Sequence, residues 1–252
     1  MASSEIPDAL ASISTATLST VLLKMGLRNV AMRGPRPLKP QQGRRWGRAF
    51  TLRFVPARED LATLESLASA GSSRAAIEAM PAQAMAVVDA MGITDAGIFG
   101  DILCARMQAR GVAGLVTDGV VRDLDGVLAT DLAVWCQGTA APPSLARLSF
   151  VAWQQPIGCG GVAVFPDDVV VADSDGAVVI PAALLAEVVA SASEQERLEA
   201  WILREVEQGA ALSGLYPPNA ASMARYAAST GPRPPGAAAL GTAADNPGKA
   251  KP

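Results

Sequence analysis

The chain has 252 residues, half of them apolar and 18% charged, which allows a substantial core and excludes a disordered polymer. A formal net charge of -3 gives no electrostatic ground for nucleic-acid binding, which needs clustered Lys and Arg. There is no histidine, so a Ser-His-Asp or Cys-His mechanism and an imidazole-ligated metal centre are both excluded.

In chain order, Asp8 to Met25 has amphipathic helical spacing and ends near Gly26 as a C-cap. The basic cluster Gly43-Arg44-Arg45-Trp46-Gly47-Arg48 is expected as a solvated loop, and Arg48 to Val55 as a strand. Ala75 to Met80 predicts a short helix closed by Pro81, and Ala84 to Asp89 a buried strand. Ile102 to Arg110 predicts a helix stopped by Gly111, and Val112 to Thr117 a continuous apolar strand covered on both faces. Asp118-Gly119 turns the chain into a helix from about Arg122 to Ala129, and Ala133 to Cys136 is the next strand. This alternation implies an α/β protein with a mostly parallel layer.

After Pro142 the pattern changes. Val162–Phe165, Val169–Ala172 and Ala177–Ile180 are short strands separated by Pro-Asp-Asp and Asp-Ser-Asp-Gly turns. Pro181 opens a long helix to about Gln208. Nothing marks a linker, so residues 1–229 are expected as one domain with N- and C-terminal helices, and residues 230–252, rich in Ala, Gly and Pro, as a flexible tail. The apolar runs are broken well short of the ~20 residues of a membrane span. Met1 to Asp8 lacks a basic region followed by an apolar stretch, and Cys104, Cys136 and Cys159 are odd in number and widely spaced. These features point to a cytoplasmic protein with no membrane partner.

Two segments can carry chemistry. Gly97-Ile98-Phe99-Gly100-Asp101-Ile102-Leu103 is a glycine-bearing loop running into a helix, whose first amides form an anion site; Asp101 could equally be a helix cap. Asp118-Gly119-Val120-Val121-Arg122-Asp123 follows a buried strand, where α/β proteins place ligands. There Arg122 can grip a carboxylate through a fork of hydrogen bonds and Asp123 can bind a cation, or the two can form a helix start with a surface ion pair. Without histidine, proton transfer falls to carboxylates, Lys, Tyr, Cys or water at a metal, and an oxygen-ligated metal would be a hard cation, Mg2+ or Mn2+.

The stretches Gly100–Ala105, Arg110–Asp123 and Asp173–Pro181 resemble the RraA-like family, which includes the 4-hydroxy-4-methyl-2-oxoglutarate/4-carboxy-4-hydroxy-2-oxoadipate aldolases. The resemblance runs from about Ser14 to Tyr216 and takes in Gly47–Arg53 and Gly214–Pro218. It implies a swivelling phosphohistidine-domain-like α/β/β/α sandwich, assembled as a homotrimer or homohexamer. It also implies a divalent-metal-dependent class II aldolase that cleaves a 4-hydroxy-2-oxo acid to release pyruvate and decarboxylates oxaloacetate. In such a site Gly100, Asp101, Ile102, Leu103 and Arg122 hold the 2-oxo acid, Asp123 binds Mg2+ or Mn2+, and Asp101 orients water at the metal. A Glu from a neighbouring subunit completes it, and of Glu196 and Glu199, which share one helix face, Glu199 is the favoured candidate.

The chain departs from the family pattern at Thr20, often Asp, at Pro81-Ala82-Gln83-Ala84, usually Pro-Gly-Asp, and at Pro166-Asp167-Asp168, which lacks that motif's glycine. Members acting as ribonuclease regulators commonly lack the acid matching Asp118, which this chain keeps. A regulator that docks on a ribonuclease is nonetheless one alternative function, and a metal-dependent lyase or hydratase of sugar-derived acids another. Arg147, Arg53 and the loop after Gly138 are candidates for a second substrate carboxylate.

Overall fold

The structure, a computed structural model, describes residues 6–230. Its helices are α1 (Thr15–Lys24), α2 (Ser73–Ala79), α3 (Asp101–Ala109), α4 (Leu124–Ala129), α5 (Leu185–Glu207) and α6 (Ala220–Thr230). The strands are β1 (Arg36–Pro37), β2 (Arg45–Pro56), β3 (Met85–Asp89), β4 (Gly114–Thr117) and β5 (Val134–Cys136), then β6 (Leu148–Trp153), β7 (Ile157–Cys159), β8 (Val162–Val164), β9 (Val169–Ala172) and β10 (Ala177–Ile180). The chain divides into two units, Met1–Glu196 and Arg197–Pro252, and α5 carries the backbone from one to the other. Beyond Thr230, the tail expected over 230–252 lies outside the described residues.

In the first unit the sheet order is β1-β5-β4-β3-β2-β9-β10, with β6 also on β2 and β7–β8 a separate hairpin. Strands β2, β3, β4 and β5 pair in parallel, while β9 and β10 run antiparallel. The long β2 serves two sectors: Arg45–Arg48 pair with β9, and Ala49–Arg53 pair with β3. The sheet therefore curls back over itself. The basic cluster, expected as a loop, is from Arg45 onward the start of this strand; its charged residues imitate a loop in sequence, but Arg45–Arg48 pair with β9.

Period-two alternation sends neighbouring residues of each central strand into different cores. Ala86 and Val88 of β3 face the core shared with α2 and α3, through Ile77, Cys104 and Met107. Met85 and Val87 face a second core with Trp135, Ile157, Val164, Val170 and Val179, between the two sheet sectors. Val169, Val171, Val178 and Ile180 face a third core with Leu18, Leu22, Val188 and Ala192 of α1 and α5. Three apolar layers between helices, sheet, sheet and helices make the fold an α/β/β/α sandwich. At roughly 25 cal/mol per Å², each fully buried Val or Leu contributes on the order of 1.5–3 kcal/mol against chain entropy.

Local differences from the sequence expectations have local causes. The single helix expected over Asp8–Met25 is a 3-10 turn at Asp8–Ala11 and then α1, because Ser14 caps the new start by accepting the Thr17 amide at 3.0 Å. The helix expected from Arg122 begins at Leu124, since Asp123 is left-handed at φ 52°. Gln83 (φ 62°) and Asp167 (φ 69°) take left-handed turn positions in the two motifs that lack the family's glycine, and Thr20 is an exposed residue of α1 bonded to the Ala16 carbonyl. Strands β1, β6 and β7 and helix α6 go beyond the elements expected from sequence.

In the second unit Trp201, Ile202, Leu215 and Tyr226 form an apolar cluster. The Trp201 and Tyr226 rings lie 5.7 Å apart, with the Arg225 guanidinium 5.4 Å from the Trp201 ring. Among the described residues, no helix is long and apolar enough to cross a membrane.

Candidate active site

Parallel strands β3 and β4 end side by side, so the loops that follow them emerge together. Asp118, the first residue after β4, is buried and accepts the Ala90 amide at 2.8 Å and the Gly160 amide at 3.2 Å. Burial pushes its carboxyl above the usual carboxylate range, against the pull of those amides. Asp118 therefore ties the two loops to the β7–β8 turn from beneath. The loops then run together: the Ile98 amide donates to the Val120 carbonyl at 2.9 Å, and the Arg122 amide to the Phe99 carbonyl at 2.9 Å.

Glycine makes that approach possible. A Cβ at Gly97 would stand 2.7 Å from Arg122 Cβ and 2.8 Å from its backbone nitrogen. One at Gly100 would stand 2.3 Å from Asp123 Oδ2, and one at Gly126 would stand 2.6 Å from both Cβ and Oδ2 of Asp101. Each missing side chain is replaced by Arg122, Asp123 or Asp101. The backbone of Asp123 is left-handed, a conformation uncommon for non-glycine residues but one that Asp adopts more readily than most.

Arg122, Asp123 and Asp101 line one cleft of about 580 Å³ together with Gly97, Gly100, Ile102 and Leu103. That volume suits a small molecule, for which sites run roughly 300–1,000 Å³. Arg122 Nε donates to Asp123 Oδ2 at 3.1 Å and its terminal nitrogen to Oδ1 at 3.4 Å. The surface ion pair considered from sequence is thus present, in a glycine cradle at the mouth of a cleft. Gly100 is the N-cap of α3 and offers no side-chain cap; Asp101 follows it, and its Oδ1 accepts the Ile102 amide at 2.7 Å. The amides opening α3 have no intrahelical acceptors and, with the helix dipole, favour an anion.

Two carboxylates and no histidine make an all-oxygen donor set, which fits a hard divalent cation held by one or two carboxylates and water. Among the described residues, no group of three or more Cys, Asp or Glu side chains could hold a metal by itself.

The other residues named from sequence fall elsewhere. Glu196 Oε1 accepts the Ser14 amide at 2.8 Å; burial acts to raise its carboxyl, but hydrogen bonds from Ser14 and Thr17 outweigh it and hold it below the usual range. Glu196 thus anchors the start of α1, while Glu199 lies further along α5 in the second unit. Arg147 pairs with Asp95 at 3.1 Å beside a different cleft, and Arg53 is an exposed residue of β2. The loop after Gly138 does reach the cleft, through Pro143, Ser144 and Leu145. Sequence reasoning missed Arg74 of α2, which lines it too. Its surroundings in sequence carry no glycine cradle or strand-end loop that would have marked it.

The fold is an α/β/β/α sandwich with a cleft at the carboxyl ends of parallel strands. Residues 11–179 match the family model RraA-like, described as Aldolase/RraA, and the chain belongs to that family. It is 36% identical over 108 residues to a Halalkalibacterium halodurans protein provisionally named 4-hydroxy-4-methyl-2-oxoglutarate aldolase, a match covering 43% of this chain and 50% of that one. It is 29% identical over 143 residues to Protein DlpA of Legionella pneumophila, covering 57% of this chain and 22% of that protein. The chain thus spans half or less of the length of these two relatives. Among solved structures, Streptomyces coelicolor RraAS2, titled an unusual member of the RNase ES inhibitor RraA protein family, is 35% identical with a TM-score of 0.70, covering 79% of this chain and 98% of that one.

Proposed function

We propose that the protein is a divalent-metal-dependent class II aldolase that cleaves a 4-hydroxy-2-oxo acid and releases pyruvate. The reading rests on one observation: the glycines at 97, 100 and 126 bring Arg122, Asp123 and Asp101 into a single cleft at a helix N-terminus. The family membership and its aldolase-named relative support it.

Asp123 would hold Mg2+ or Mn2+, which when bound supplies Lewis acidity toward the keto oxygen of the substrate, and Asp101 in the same cleft would orient water. Arg122 exchanges its contact with Asp123 for the substrate carboxylate, and the amides of Asp101 and Leu103 at the α3 start add to the positive field there. When the C3–C4 bond breaks, its electron pair becomes the enolate of pyruvate, and the 4-hydroxyl, losing its proton, becomes a carbonyl. Arg122 stabilises the growing negative charge. Asp101 accepts the hydroxyl proton at Oδ2 through water, Oδ1 being engaged by the Ile102 amide, and returns it to C3. Oxaloacetate would lose CO2 through the same enolate.

The working form in this proposal is a homotrimer or homohexamer in the cytoplasm, where Glu199 of a neighbouring subunit completes the site. Ile102 and Leu64, 78% and 77% exposed beside the cleft, give an apolar rim for such a neighbour to cover. The likeness to RraAS2, a member of the RNase ES inhibitor family, favours a second reading, a regulator that binds a ribonuclease.

The deciding experiment follows pyruvate release from oxaloacetate with and without Mg2+ or Mn2+. Wild type should show metal-dependent release, Asp123→Ala should lose it by at least ~100-fold, and Arg122→Lys should fall steeply because an ammonium cannot copy the guanidinium fork. Wild-type protein with no activity above the metal-ion background, or Asp123→Ala at wild-type rate, would refute the aldolase reading.

A further inference from the structure

Four charged side chains line the cleft: Arg122, Asp123 and Asp101 from the strand-end loops and the α3 start, and Arg74 from α2. The first three are absorbed by the chemistry proposed above. Arg74 is not. Its NH1 donates to the Leu67 carbonyl at 3.0 Å, and among the described residues it has no carboxylate partner. Several arginines of this unit are neutralised where they stand, Arg58 by Asp60, Arg106 and Arg110 by Glu78, and Arg147 by Asp95, whereas Arg74 brings its charge to the cleft. Arg74 is an exposed guanidinium with one tether, which leaves most of its five N–H donors available to the cleft.

The tether also sets where the charge sits. Leu67 and Leu64 line the same cleft, so the bond to the Leu67 carbonyl holds the guanidinium beside apolar surface. Charge recognition strengthens where neighbouring surface excludes water. The cleft thus carries two cationic forks on separate elements, one with two acids at its side and one with none.

We propose that Arg74 is a specificity-determining residue that receives the second, distal carboxylate of a dianionic 4-hydroxy-2-oxo acid. This assignment rests on the aldolase reading, in which Arg122 takes the carboxylate next to the keto group. It replaces Arg147 and Arg53, two of the three candidates that sequence offers for that role; the third, the loop after Gly138, lines the same cleft through Pro143, Ser144 and Leu145. Arg74 would hold a carboxylate that leaves with the carbonyl product and exchanges no proton, so it selects among substrates rather than moving a proton.

The test uses full-length protein with Mg2+ and compares wild type with Arg74→Gln and Arg74→Lys. One arm measures kcat/KM for cleavage of 4-hydroxy-2-oxoglutarate and of 4-hydroxy-2-oxopentanoate, which lacks the distal carboxylate. The other measures binding of 2-oxoglutarate and of 2-oxopentanoate by calorimetry, without turnover. Arg74→Gln should lower the diacid-to-monoacid ratio by about 10- to 100-fold in both arms, the range for losing a charge-assisted hydrogen bond, and Arg74→Lys should recover part of it. An unchanged ratio overturns the assignment, as does an equal loss for both acids, which is the signature of a residue that merely staples the Leu67 segment. Wild type that binds neither keto acid overturns the aldolase reading and this assignment with it. Wild type that binds both, with a ratio Arg74→Gln does not move, overturns the assignment alone.

Discussion

A single methyl group added at Gly100 should separate stability from function. The Gly100 backbone, at φ -110° and ψ -169°, is ordinary extended chain that alanine adopts without strain. Its new Cβ would stand 2.3 Å from Asp123 Oδ2, well inside contact distance, but that oxygen is the end of a side chain 42% exposed and free to rotate. The costs are the exposed Arg122–Asp123 pair, about 0–1 kcal/mol, and the weaker N-cap, up to ~1 kcal/mol. Reduced freedom of the unfolded chain offsets them by about 0.4–1 kcal/mol. Gly100→Ala should therefore cost no more than about 1.6 kcal/mol, roughly 3–6 °C in Tm, yet lose about 100-fold in metal-dependent pyruvate release because Asp123 is displaced. Gly97→Ala is the contrast. There the methyl meets Arg122 Cβ and the Val121–Arg122 backbone at 2.7–2.9 Å, which cannot swing aside. It should cost about 1–3 kcal/mol and lower Tm by roughly 2–12 °C. Thermal unfolding and the oxaloacetate assay on both variants decide the matter. Gly100→Ala as unstable as Gly97→Ala, or fully active, would show that the carboxylate does not sit over Gly100.

Asp173 accepts the Thr15 hydroxyl at 2.6 Å and the Thr15 amide at 2.9 Å; burial acts to raise its carboxyl, but these bonds, the Asp175 amide and Arg44 outweigh it and hold it below the usual range. A depressed acid contributes stability above its unfolded pKa and loses it as pH falls through the folded value, so Asp173→Asn should cost about 1–3 kcal/mol at pH 7. Urea unfolding should show the gap to wild type narrowing below about pH 4, and a gap that persists there would refute the assignment. Burial pushes the Cys104 thiol up to about 12, and the Cys136 and Cys159 thiols upward as well. None of the three should react with Ellman's reagent at pH 8 in native protein, and all three should react after denaturation. Rapid stoichiometric labelling of the native state would contradict their burial.

The sequence by itself determined the parts that depend on neighbours along the chain. The apolar β-branched runs at Val169–Ala172 and Ala177–Ile180 have one stable use, a buried strand, and Asp118-Gly119 after an apolar run marks a strand-end loop. Arg122, Asp123 and Asp101 were legible because each stands beside the glycine or strand end that places it. Tertiary structure decided what distant segments do to one another. Strand β6 has only moderate periodicity, and pairing with β2 is what makes it a strand. Glu196 looked like a site candidate on a charged helix face until it met the Ser14 amide, 182 positions away. Arg74 has no sequence mark because its place in the cleft comes from the packing of α2, and local propensity carries no record of which remote carbonyl will hold a side chain. Gly97 shows the same division: it signals a turn locally, but the arginine it accommodates is fixed only when the chain closes on itself.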